Sequence, residues 1–288
     1  MNFDHTYITV FGKIMFEPVT FFLNNTIALF CVFAFFSIVK HKSILSKNWA
    51  WFFLLIGLSA SMGSIAHSVQ YQLGDQFIRW VIFSVNSLSL VAIYFCFNAA
   101  QNHSTTIKKN KTKIIHSLVI CWILILLAVT YIQNNFLLIK IHAGIVLTYS
   151  FLVHLISPIK KEQGSSLIAS GIFVSFLSIA VHSMKFSISV WFNYKDISHL
   201  IMIISLIMIY AGVNIKLRSL LSKELISSIE WICHFWIASG VLPPLKFYWN
   251  DPPPFPIYLG AARKIFHDPE ISLLAGRNAG LRPTSIQL

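Results

Sequence analysis

Hydrophobic positions along this chain run in long blocks rather than in the alternation or seven-residue repeat of a soluble fold. A membrane-crossing helix needs about 20 consecutive apolar residues. Seven stretches meet that length, near residues 18–40, 49–71, 77–100, 114–132, 137–157, 165–191 and 197–217. They predict an all-α, polytopic membrane protein. The first stretch is read as a retained span rather than a secretory leader, because it has no small-residue cleavage site and ends in Lys40-His41-Lys42. Residues 1–224 form the seven-helix unit, and residues 225–288 form a different segment. Eight of the ten prolines lie in this last segment, in runs such as Asp251-Pro252-Pro253-Pro254, so a poorly ordered tail is expected there.

Composition agrees with that class. The 288 residues are 56% hydrophobic and only 11% charged, with a mean hydropathy of +0.70. Soluble proteins carry about 25% charged residues. The net charge of +12 does not indicate nucleic acid, because the lysines are dispersed over several loops. Lys and Arg accumulate on cytoplasmic loops. Here Lys40, Lys42 and Lys47, then Lys108 to Lys113, Lys160 and Lys161, and finally Lys216, Arg218 and Lys223 mark one side. Fewer basic residues, with Asp4, Glu17, Asp75 and Asp196, mark the other. Seven spans, an outside N-terminus and a cytoplasmic C-terminus follow, in a bacterial inner membrane or another cell membrane, with the bilayer as partner. Cys31, Cys96, Cys121 and Cys233 show no paired spacing and read as packing residues.

Polar groups inside a bilayer are costly, which makes each one a candidate for function. At 1.5 Å per residue, Asn86 and His182 lie roughly 13 Å below the outer surface. Glu17, His67, His142, Asp196 and His199 lie nearer to it, and His154 and His116 fall toward the inner side. Ser175, Ser178 and His182 share one helical face, and Asn193, Asp196 and His199 stack at the mouth of helix seven. Three imidazoles with an open position make a catalytic zinc site. Asp196 then either ligates the metal or orients His199, and Ser178 or Ser64 holds a substrate carbonyl or water. The same residues also suit a proton or ion pathway, and a haem less well. No lysine lies mid-membrane in helix seven for a retinal Schiff base, and no Walker, dinucleotide-binding or HExxH motif is present.

Three segments carry a family resemblance. Glu17-Pro-Val-Thr20-Phe-Phe-Leu-Asn24-Asn25 opens helix one, Gly63-Ser-Ile-Ala-His67 ends helix two, and Asn193-Tyr-Lys195-Asp196-Ile-Ser-His199 opens helix seven. Together they resemble the CREST superfamily of seven-helix membrane hydrolases, which includes the alkaline ceramidases and the progestin and adipoQ receptors. The helix-seven segment also resembles uncharacterised bacterial seven-helix proteins. The CREST resemblance implies zinc held by His67 and His199 and a lipid amide or ester substrate, with the third ligand left to His182 of helix six or to Asp196. Gly63 stands where the family has a serine, and Lys195 stands where it has a first helix-seven histidine. A non-catalytic sensor or lipid-binding protein and an ion- or proton-coupled transporter are the other expectations.

Overall fold

The computed structural model describes residues 6–69, 72, 74–103, 112–133, 137–157 and 162–238. A short antiparallel hairpin, β1 (Tyr7–Val10) and β2 (Lys13–Phe16), precedes seven helices. These are α1 (Pro18–Val39), α2 (Ile44–Val69), α3 (Asp75–His103), α4 (Thr112–Gln133), α5 (Leu137–Ile156), α6 (Ser165–Met184) and α7 (Tyr194–Ala238). The fold is therefore helical as expected, with one β-element that hydropathy does not reveal. The chain divides into two compact units, Met1–Leu220 and Leu221–Leu288. In the second unit only the helical backbone as far as Ala238 is described, so most of the proline-rich segment lies outside the described residues.

Among the described residues, six helical segments are long and apolar enough to cross a membrane: α1, α2, α3, α5, α6 and Tyr194–Ser222 of α7. In α4 the described apolar stretch, Ser117–Ile132, is shorter. This composition fits a multi-pass integral membrane protein. Large apolar side chains such as Leu29, Phe33 and Phe36 of α1 are exposed, as lipid-facing positions are.

One face of α1 shows how the bundle closes. Thr20, Asn24, Ile27, Cys31, Ala34 and Ile38 recur every three or four residues and are all buried. Small side chains on that stripe let α2 approach, and a Cβ added at Gly57 would stand 2.8 Å from the Cβ of Cys31. The core continues through Trp49 and Phe53 of α2, Ala92 and Cys96 of α3, Ile168 and Ile172 of α6, and Ile209 and Val213 of α7. Cys31, Cys96 and Cys121 are free, and the first two are buried.

Helix six ends earlier than residue 191, where the apolar pattern runs out. Lys185 takes a left-handed conformation (φ 53°) and stops α6 at Met184. Two serines then organise the turn by capturing backbone donors. Ser187 Oγ accepts from the Tyr194 N–H at 3.0 Å, and Ser189 Oγ accepts from the Phe192 N–H at 3.0 Å. These local bonds compete with helix continuation. Phe186, Ile188 and Trp191 stay exposed on that turn.

Candidate functional site

The residue before α1 shapes the entry end of the bundle. Proline disfavours the right-handed helical region for the residue it follows, and Glu17 before Pro18 takes left-handed angles (φ 46°, ψ 56°). Its N–H donates to the Thr6 carbonyl at 2.9 Å, which ties the hairpin to the helix start. The carboxylate turns inward and is buried. Oε1 stands 2.5 Å from Lys195 Nζ, and Oε2 stands 2.6 Å from His67 Nδ1. Burial alone would raise the Glu17 pKa, but the His67 and Lys195 contacts outweigh it and hold the carboxyl down at about 2. One buried acid thus joins α2 and α7 to the entry of α1.

The start of α7 is a reciprocal capping box. Asn193 is the cap, and its Oδ1 accepts the Lys195 N–H at 2.8 Å. Asp196, three residues on, accepts the Asn193 N–H on Oδ2 at 2.9 Å. Its other oxygen accepts the Thr20 hydroxyl at 2.6 Å, bridging to α1. Both oxygens of Asp196 are therefore engaged in bracing helices. Ser178 is engaged too, donating to the Ser198 carbonyl at 2.8 Å and pinning α6 to α7.

His199 follows one turn after Lys195, and its Nδ1 lies 2.5 Å from the Lys195 carbonyl. A carbonyl only accepts, so that nitrogen carries the proton and Nε2 presents its lone pair. His67 is held in a similar way, its Nδ1 2.6 Å from the Glu17 carboxylate. The His67 and His199 rings meet edge to face, 6.5 Å between centres. His182 stacks edge-on against Tyr194 at 5.2 Å, within electrostatic reach of His67 and Lys195. The cluster thus gathers Glu17, His67, His182, Lys195 and His199. Among the described residues, no three His, Cys, Asp or Glu side chains already stand in an arrangement suited to a metal ion.

The remaining candidates lie elsewhere. His142 accepts from the Trp122 indole of α4 at 3.3 Å, so α5 pairs it sideways with α4. Asn86 is buried in α3, and its amide nitrogen has no hydrogen-bond partner among the described residues. Asn24 is buried beside Gly63, where an added Cβ would stand 3.9 Å from its amide. Its neighbour Asn25 donates to Ser64 Oγ at 2.6 Å, linking α1 to α2.

Sequence reasoning left His154 aside and did not single out His103, yet the opposite end of the bundle holds a second polar cluster. His103 Nε2 lies 2.5 Å from Ser165 Oγ and 3.3 Å from Glu162, which Lys216 approaches at 3.4 Å. The His103 and His154 rings stand 4.5 Å apart, and Trp49 lies 6.1 Å from His154. Neither ring nitrogen of His154 has a hydrogen-bond partner among the described residues. The available signal was Glu162, a lone acid in a loop with Lys160 and Lys161.

Bundle and clusters together define an integral membrane protein with polar groups buried at both ends. A family model matches residues 19–218, and the chain belongs to that family, DUF6962, a family of unknown function. No curated protein and no solved structure matches the chain.

Proposed function

We propose that this protein is a seven-span membrane protein with its N-terminus outside, and that the entry-end cluster is a metal-dependent site acting on a lipid amide or ester. The observation that carries this reading is the paired anchoring of two histidines. The Nδ1 of His67 is held by the Glu17 carboxylate and that of His199 by the Lys195 carbonyl, which leaves both Nε2 atoms as donors. Histidines that ligate metals are typically oriented in this way through their second nitrogen. His182, within electrostatic reach of both histidines, is the candidate for a third donor. A zinc ion at such a site supplies Lewis acidity toward a carbonyl and lowers the pKa of water. In this assignment Glu17 is a positioning residue, and Asp196 and Ser178 brace the helices that present the histidines. The resemblance to the CREST hydrolases supports the same reading.

A second reading rests on Lys195. Its ammonium lies 2.5 Å from Glu17, inside the cluster, where it opposes entry of a further cation. That favours a lipid-binding or sensing protein that retains the fold without catalysis. Metal analysis of the purified protein separates the two. Stoichiometric zinc in the parent, lost in both His67→Ala and His199→Ala, is the outcome expected for the hydrolase. A metal-free parent that still binds lipid would replace it with the second reading.

A further inference from the structure

The hairpin ahead of α1 carries large apolar side chains that are exposed among the described residues. Its turn, Phe11-Gly12, has positive φ at both positions (49° and 74°), as a two-residue hairpin turn requires. Asn, Asp or Gly normally fills the first of these positions, and a bulky residue at positive φ is a strained outlier. Phe11 is nonetheless there, and its side chain is fully exposed (101%). Strand register pairs Tyr7 with Phe16 and Thr9 with Ile14, placing all four on one face. Tyr7 and Ile14 on that face are also exposed.

The hairpin is not a loose end. Thr6 accepts from Glu17, and the Gln72 side chain donates to the Ile14 carbonyl just beyond α2. Other aromatic groups occur at this end of the bundle. Trp80 in the second turn of α3 stacks with Tyr131 in the last turn of α4 at 5.7 Å, and both are exposed. Exposed aromatic rings near helix ends are the signature of a membrane–water interface.

We propose that the hairpin is an interfacial anchor, with Phe11 at its tip and Tyr7 and Ile14 behind it seated at the headgroup–acyl boundary of the bilayer. The strain at Phe11 has a physical rationale there. An Asn at the tip would relax the turn, but only an apolar residue gains from leaving water. The hairpin is held against the entry cluster through Thr6 and Glu17, so an anchored hairpin also fixes the cluster near the lipid surface.

A nitroxide at position 11 tests the proposal. Phe11→Cys is made with Cys121→Ser and Cys233→Ser, since Cys31 and Cys96 are buried. The protein is labelled and reconstituted into phosphatidylethanolamine/phosphatidylglycerol nanodiscs, and collision rates with oxygen and with a water-soluble nickel chelate are measured. Oxygen collisions exceeding nickel collisions place the tip in the bilayer boundary and support the anchor. Free access of nickel puts the tip in water and overturns it. Shielding from both reagents shows a protein contact, such as a second copy, and overturns it equally. The outcome does not depend on zinc, so it is separable from the hydrolase reading.

Discussion

Glu17 concentrates several constraints in one side chain. It is buried, its backbone is left-handed, and its two oxygens meet a histidine and a lysine from different helices. Removing one partner of a buried ion pair costs about 3–5 kcal/mol, because the remaining charge is left uncompensated. Glu17→Gln is therefore expected to lower the melting temperature in detergent strongly, and an unchanged melting curve would refute the triad. The folded pKa of about 2 lies below the ordinary value of 4.5. A depressed acid stabilises the fold fully above its unfolded pKa and loses that contribution as protons bind. The stabilisation, about 3 kcal/mol at most, should thus disappear as the pH falls from about 4.5 to 2. Melting curves across that range, compared with Glu17→Gln, check the sign. At this scale Glu17, His67 and His199 were legible in the sequence as polar groups near helix ends. The Lys195 partnership was not, because a lysine at a helix start reads as a solvated charge until the neighbouring helix is placed.

Among the elements, α6 and α7 approach closely at Gly171. A Cβ at Gly171 would lie 2.7 Å from Ile209 Cγ1 and 2.9 Å from the Ser205 carbonyl, whose own hydroxyl donates to the Gly171 carbonyl at 2.8 Å. Gly171→Ala is expected to cost about 1–3 kcal/mol by overpacking. Gly144 on α5 has nothing within 4 Å of its Cβ position, so Gly144→Ala should be neutral or slightly stabilising, since alanine is the better helix former. Parallel thermal melts of the two variants test the contrast, and equal losses would contradict the close contact. Helix boundaries were legible where a strong breaker stood, as at Pro18. They were misread after Met184, where the apolar run continues but Ser187 and Ser189 divert the backbone. The hairpin was invisible because its ten residues are too short for an apolar-block pattern.

For the molecule as a whole, the distribution of lysines makes a topological prediction. If all seven helices cross, the loop after Lys42 and the segment after Ser222 lie on the same side, because six crossings separate them. Green fluorescent protein fused at either point should fluoresce, and alkaline phosphatase fused after Gly74 should be active. Opposite behaviour of the Lys42 and Ser222 fusions would mean that α4 does not cross. Of the polar residues expected in one layer, Glu17, His67, His182 and His199 come together at one end of the bundle, with Lys195 among them. His142 instead pairs with Trp122, and the opposite end proves to hold a buried cluster of its own.

Sequence alone determined that the chain is a bundle of long apolar helices, because a backbone in lipid must satisfy its hydrogen bonds within each segment. It also set the spacing of polar residues along each helix, because rise per residue is constant. Which polar residues meet depends on how each helix is rotated and which helix lies beside it. Side-chain packing between elements distant in the chain sets both. Tertiary structure alone could therefore seat Lys195 on Glu17, turn Asp196 into a brace against Thr20, and bring His103 to His154.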